Sequence, residues 1–355
     1  MKRRLTRQIS VGELYIGGNA PITVQSMTTT DTRDIDSTVE QILQLKNCGC
    51  DIVRMSIYDR ECAEAIPEIK KQTQIPLVAD IHFDYRLAIL AMEKGIDKLR
   101  INPGNIGDRY KVQSLVSCAK ERNIPIRIGV NAGSLKKEIL DRYGGVSEEG
   151  MVESALEHVN ILEKNGFYDI VISLKASNVL QTIESYELIS QRVDYPLHLG
   201  VTEAGTPKMG TIKSAIGIGS LLLKGIGDTL RVSLTGNPVE EVRVGIDILK
   251  SLEIRKEGPN IISCPTCGRC QLNLEGIVNE VEDSLKSITT PLKIAIMGCV
   301  VNGPGEAREA DIGMAGGRDS GVIFKRGEVL KTVSAHKLVP ELIKEIQNIV
   351  REKSQ

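Results

Sequence analysis

Two short cysteine-bearing runs carry the most chemistry in this chain of 355 residues. The first reads Ser263-Cys264-Pro265-Thr266-Cys267-Gly268-Arg269-Cys270, and the second Cys299-Val300-Val301-Asn302-Gly303-Pro304-Gly305-Glu306. Together they hold half of the chain's 8 cysteines. Thiols three residues apart on glycine- and proline-rich turns converge on one point, and reducing compartments use that arrangement for metals far more than for disulfides. Spacing narrows the metal. A bacterial ferredoxin run needs a cysteine four positions after Cys270, where Leu274 stands, and a zinc ribbon needs a second Cys-x-x-Cys pair, where Asn302 stands. The spacing Cys-x-x-x-Cys-x-x-Cys is also absent. What remains is two or three thiolates from the first turn, one from the second, and the carboxylate of Glu306, the ligand a substrate would displace most easily. Thiolates suit an iron-sulfur centre and zinc alike, so spacing leaves both open. Gly298, Gly303 and Gly305 would let backbone N–H groups approach the centre.

A second set of reactive types ends short apolar runs: Arg54 and Ser56, Asp80 and His82, Arg100 and Asn102, Arg127 with Gly129 and Asn131, Ser173 and Lys175, His198 followed by Thr202 and Glu203, Arg231 and Ser233. In a strand, residues i and i+2 share a face, so each pair projects together. Four Arg and one Lys on different strands, against Asp80 and Glu203, form a cationic rim suited to an anion with more than one phosphate group. Scattered structural ion pairs are the plain alternative. His82 gains interest from its i+2 relation to Asp80. Glu203 reads as a proton-transfer group or as a helix cap. His158 and His336 read as solvated, and Cys48, Cys50, Cys62 and Cys118, within apolar helical patterns, as inert buried thiols.

The elements that must position these groups follow from periodicity. Strand patterns fall at 22–27, 52–57, 76–81, 97–101, 126–130, 169–174, 197–201 and 229–234, separated by amphipathic stretches at 37–48, 60–71, 84–94, 108–122, 147–165, 178–192, 208–224 and 238–252. Eight parallel β/α units close a barrel, whose active site lies at the C-terminal ends of the strands. Segment 7–16 reads as a hairpin plugging the opposite end. The predicted fold class is therefore α/β: a (β/α)8 barrel over 1–255, a linker at 256–263 marked by Gly258-Pro259, and a smaller α/β domain over 264–355 holding the metal on its turns. In that domain the patterns give a helix at 276–287, strands at 292–297 and 321–325, and a helix at 338–352. No internal repeat beyond the β/α period is evident.

Composition excludes several functions. Net charge is -1, Trp is absent and Phe occurs three times, so neither the basic field nor the stacking aromatics of a nucleic-acid binder are present. No apolar run is long enough for a membrane span, and no signal-type segment follows the basic N-terminus, so the reading is a cytoplasmic protein without membrane attachment.

Chain direction constrains assembly. The last barrel helix delivers the chain to the face opposite the active site. The ten residues from Glu253 to Ile262, fully extended, reach at most about 35 Å, and helices of barrel height are already about 21 Å tall. The expectation is a twofold homodimer with each tail covering its partner's barrel.

The two cysteine runs, together with ITVQSMTTTDTRD, ADIHFD, LRINPGN, RIGVNAGSL, HLGVTEAG and DTLRVSLTG, closely resemble the bacterial two-domain (E)-4-hydroxy-3-methylbut-2-enyl diphosphate synthase family along essentially the whole chain. The resemblance implies a TIM barrel joined to a sulfite/nitrite reductase-like module, a [4Fe-4S] cluster and a homodimer with shared sites. It also implies reductive ring opening of a cyclic diphosphate with electrons from flavodoxin or ferredoxin. By matching motif it assigns Cys264, Cys267, Cys299 and Glu306 to the cluster, and Arg54, His82, Arg127, Asn131, Lys175, Arg231 and Ser233 to the substrate. Arg100, Asp80 and Glu203 fall on further active-site positions, Glu203 as proton donor or charge stabiliser. Cys270 departs from the family pattern and reads as a bystander rather than a competitor of Glu306, because a thiolate in place of the exchangeable carboxylate would close the site the substrate needs. Two rivals remain open to test: a zinc module on an anion-binding barrel, and a pterin-handling barrel similar to dihydropteroate synthase.

Overall fold

The computed structural model describes residues 2–286, 288–299 and 308–354. The chain divides into two compact units between Ile254 and Arg255.

The first unit opens with an antiparallel hairpin, β1 (Ile9–Val11) and β2 (Leu14–Ile16). Eight parallel strands follow: β3 (Thr23–Met27), β4 (Ile52–Ser56), β5 (Leu77–Asp80), β6 (Lys98–Ile101), β7 (Ile126–Asn131), β8 (Ile170–Lys175), β9 (His198–Leu199) and β10 (Thr229–Leu230). Their order is β8-β7-β6-β5-β4-β3-β10-β9, and a parallel bridge between Ile172 and Leu197 closes the ring. Val11 and Ile16 of the hairpin pack on Ile52 and Val78, so the hairpin seals the N-terminal end of the barrel as its sequence suggests. The strands are apolar runs because helices cover the sheet's outer face. Seven of this unit's described helices begin where a short polar side chain, Asp34, Asp59, Asp84, Asp108, Ser147, Asn178 or Asn237, accepts a backbone N–H of the first turn, whereas Pro207–Leu223 starts on a proline without a side-chain cap. These caps sit at the C-terminal ends of the strands and fix where each loop ends.

Three readings need correction here. β9 and β10 pair over two residues each, less than the apolar runs 197–201 and 229–234 suggest, because pairing stops where the site residues begin. A helix at Lys137–Tyr143 was not anticipated. His158 is buried, not solvated: its Nδ1 accepts the Gly104 N–H at 3.0 Å. His336 is exposed.

The second unit is a five-stranded sheet in sequential order: β11 (Pro259–Ser263), β12 (Leu292–Met297), β13 (Ile312–Gly316), β14 (Ser320–Lys325) and β15 (Glu328–Ser334). β11 to β13 run parallel and β13 to β15 antiparallel. Helices Leu274–Leu285 and Leu338–Ser354 bury their apolar stripes against one face. Most of the segment read as linker is therefore an edge strand. Its Gly-Pro start looks like a break, but proline is tolerated as the first residue of an edge strand.

Candidate active site and thiol cluster

The strand ends bring most of the anticipated side chains into contact. Arg100 Nη1 donates to Asp80 Oδ1 at 3.1 Å and to His82 Nδ1 at 2.9 Å. Arg54 Nε lies 3.8 Å from Asp80 and donates to the Met27 sulfur at 3.1 Å. Arg127 Nη1 donates to Ser173 Oγ at 2.7 Å. Burial would push the Asp80 carboxyl up, but Arg54, Arg100, Arg127 and His82 together hold it below the usual carboxylate range. His82 is pushed down by partial burial and by the Arg100 and Arg54 cations, against Asp80, so a neutral ring accepts from Arg100 at Nδ1. Burial lowers the proton affinity of Arg54 to about 10 and depresses those of Arg127 and Lys175 strongly.

A guanidinium stays charged even so, and buried charge calls for a counter-charge. Among the described residues six cationic side chains line the barrel interior, Arg54, Lys98, Arg100, Arg127, Lys175 and Arg231, and the carboxylates engaging them are Asp80 and Glu241. Arg127 is 2% exposed, and its Nε and Nη2 have no hydrogen-bond partner among the described residues. An entering anion would find these donors already aimed and desolvated.

Glu241 escaped the sequence reading. From the first turn of helix Pro238–Ser251 it accepts from Arg231 Nε and Nη2 at 3.1–3.2 Å, from Ser26 Oγ at 3.0 Å and from the Leu234 N–H at 3.0 Å. It stands beside Glu240 in a helix's first turn, where acidic side chains already suit the helix dipole. Gly200 was also overlooked: a Cβ there would stand 2.6 Å from Lys175 Nζ, so glycine on β9's continuation leaves room for that ammonium. Asn131 is half-buried at the end of β7, its N–H donating to Ser134 Oγ, and Ser233 is half-buried beyond β10. Glu203 is exposed on the loop after β9 with φ of 50°, a left-handed conformation that a β-carbon disfavours.

In the second unit, the cysteine turns leave neighbouring parallel strands at the same end. Ser263 pairs with Ile296 in register, so Cys264 follows β11 beside the Gly298-Cys299 exit of β12. The Cys264 N–H donates to Ile296 O, and its Sγ accepts the Gly298 N–H at 3.2 Å. A Cβ at Gly298 would meet the Cys270 sulfur at 2.5 Å, which requires glycine there. Cys270 packs on the apolar core and its Sγ donates to Leu272 O. Cys267 is exposed, and the backbone N–H and side chain of Arg269 favour its thiolate. Among the described residues no three His, Cys, Asp or Glu side chains stand close enough to share one metal ion. Glu306 lies outside the described residues. The donor set nevertheless fits a thiolate-bound centre: two turns at one sheet end, one sulfur already receiving a backbone N–H, and one thiol biased to its anion. The other four cysteines are buried or half-buried, and burial raises Cys50 to about 12.

Fold and site define a class: a (β/α)8 barrel with buried cations at its strand ends, followed by a thiol-bearing α/β unit. Residues 6–246 match the GcpE TIM-barrel domain and 260–348 the GcpE protein C-terminal domain. The chain belongs to the GcpE family. It is 63% identical over 350 residues, 99% of each chain, to the 4-hydroxy-3-methylbut-2-en-1-yl diphosphate synthase (flavodoxin) of Caldanaerobacter subterraneus subsp. tengcongensis. It is 60% identical to the protein of the same name in Clostridium perfringens, over 98% of this chain and 100% of that one. Among solved structures, the barrel is similar to the Yersinia pestis dihydropteroate synthase (TM-score 0.50, 10% identity, 69% of this chain and 98% of that one). The Leptospira borgpetersenii serovar Hardjo-bovis N-acetylneuraminic acid synthetase gives TM-score 0.50 at 12% identity over 81% of this chain and 100% of that one. At such identities the likeness is one of fold alone. No helix among the described residues is long and apolar enough to cross a membrane.

Proposed function

We propose that this chain converts 2-C-methyl-D-erythritol 2,4-cyclodiphosphate to (E)-4-hydroxy-3-methylbut-2-enyl diphosphate in the non-mevalonate isoprenoid pathway of the cytoplasm. Two electrons and two protons enter; the ring C–O bond to phosphate breaks and one hydroxyl leaves as water. The observation that carries this reading is the excess of buried cations at the strand ends, above all the unpartnered Arg127 donors. Two phosphates would be held by Arg54, Arg100, Arg127, Lys175 and Arg231, with His82, Asn131 and Ser233 as polar partners. Asp80 keeps Arg54 and Arg100 aimed across the barrel. Glu203, exposed above the cationic floor, would give its proton to the departing oxygen.

Cys264, Cys267, Cys299 and Glu306 would hold a [4Fe-4S] cluster, with Cys270 a bystander. Such a cluster, when bound, passes single electrons from reduced flavodoxin or ferredoxin to the substrate. The site is shared in a homodimer on this reading. The domain limits implied are a barrel to residue 255 and a cluster domain from 264.

The test is anaerobic protein, analysed for iron and sulfide, turning over the cyclic diphosphate with an artificial one-electron reductant. Product formation with four iron per chain is expected. Iron-free zinc protein, or loaded protein that leaves the cyclic diphosphate intact, overturns the reading. Glu306→Ala is expected to keep the brown absorbance band but lose it faster in air, with slower turnover; unchanged kinetics would remove Glu306 from the mechanism.

A further inference from the structure

Beneath the cationic mouth, the barrel floor is polar where barrels are usually filled by branched apolar side chains. Gln25 of β3, Lys98 of β6, His198 of β9 and Thr229 of β10 are each no more than 1% exposed. Lys98 Nζ, both His198 ring nitrogens, both Gln25 side-chain polar atoms and Thr229 Oγ1 have no hydrogen-bond partner among the described residues. Each buried orphan carries a desolvation cost, so a layer of them in a packed barrel calls for a role.

Lys98 is the pivotal member. It stands two residues before Arg100 on the same interior face, and its strand pairs with β5 and β7. The charged groups around it are Arg54 from β4, Arg127 from β7 and the His198 ring from β9, with Lys175 on β8 and Arg231 beyond β10 nearer the mouth. On β5, the carboxylate of Asp80 is already engaged by Arg54, His82 and Arg100. Glu241 is engaged by Arg231. Burial first, then Arg127 and Arg54, hold the Lys98 amine well below the ordinary lysine range. A dianionic ligand seated on those same guanidiniums would offset that field.

We propose that Lys98 is a further residue of the substrate site, uncharged beneath the free mouth, which takes up a proton as the diphosphate binds and then stands under it as an added cation. In this step an N–H bond forms between the Nζ lone pair and a proton from solvent; nothing is oxidised or reduced. The inference rests on the cyclic-diphosphate reading above. It makes anion binding proton-linked and gives the floor's polarity a use.

The experiment is calorimetric titration of the cyclic diphosphate into oxidised holoenzyme, without reductant, in buffers of different ionisation enthalpy near pH 8. Both phosphates of this ligand ionise only in strong acid, so protons taken up go to the protein. Wild type is expected to take up protons on binding, and Lys98→Met about one fewer per site. The variant's affinity should also change less steeply with pH. Because Met replaces an unpaired buried amine, its thermal midpoint should equal or exceed that of wild type; a lysine kept only for structure would lower it. If Lys98→Met does not fold, Lys98→Gln is measured instead. Wild type that binds without proton uptake, or equal uptake in wild type and variant, overturns the role of Lys98 and leaves the substrate assignment standing. Failure of the ligand to bind at all removes the substrate assignment and this inference with it.

Discussion

Arg231 is only as well aimed as the carboxylate that holds it. Glu241 is 4% exposed and spends its two oxygens on Arg231, Ser26 and the Leu234 N–H, so it fixes the guanidinium rather than meeting the ligand. Glu241→Gln keeps the shape but loses the charge and one accepting oxygen. Steady-state kinetics should show KM for the cyclic diphosphate rising about ten-fold, the scale of losing an orienting partner, with kcat changed far less. Equal losses in kcat and kcat/KM would instead place Glu241 at the reacting atoms. The residues that touch the ligand on this reading were legible because Arg, Lys, His and Asp at strand ends are conspicuous in a run of Val, Ile and Leu. Glu241 was not, because an acid in a helix's first turn already has an ordinary electrostatic explanation. Lys98 was passed over because it opens its strand, where a lysine usually marks the solvent end.

At the scale of elements, legibility followed period and length. Each barrel helix longer than eight residues was anticipated to within two residues or so, because an apolar stripe agrees with an Asp, Ser or Asn cap or, at Pro207–Leu223, with a proline in the first turn. Helix Lys137–Tyr143 has seven residues and too little periodicity to stand out, and β15, with its exposed Val329 and Leu330, lacks the buried alternation that marks a strand. Tertiary packing also overrode the reading of His158. Helix Glu148–Lys164 sets its ring against the turn after β6, where Nδ1 must stay unprotonated to accept the Gly104 N–H. Burial lowers His158 to about 4, whereas an unfolded chain binds that proton near 6.5. The unfolded state therefore binds more protons below 6.5, and stability falls as pH drops from about 6.5 towards 4, by about 3 kcal/mol in all. Urea unfolding of wild type and His158→Gln at pH 7 and pH 4.5 checks this. The variant should be the less stable at pH 7 and should lose less on acidification; parallel losses would show that other groups carry the acid sensitivity.

For the whole molecule, the connection between units is the deciding quantity. The last barrel helix ends at Ser251 and β11 begins at Pro259, so 252–258 is all that joins them. Seven residues span at most about 25 Å, shorter than the linker read from sequence because β11 takes up most of that segment. Helices on the barrel run antiparallel to its strands, so this connector starts at the end opposite Arg127 and Lys175. A route back over the barrel's own wall, about 21 Å along a helix of 14 residues plus loops and a sideways step, leaves almost no slack. On the dimer proposed above, each tail would instead meet the mouth of the other copy. This has a consequence that single-chain catalysis does not share. If the proposed assignments hold, Cys264→Ser removes one half of the site and Arg127→Met the other, and each homodimer should be inactive. Heterodimers isolated by two different tags carry one site in which both halves are intact, and should turn over the cyclic diphosphate at about half the wild-type rate per dimer. Verified heterodimers without activity would mean that each chain closes on its own barrel, and the connector would then have to run nearly straight between its fixed ends.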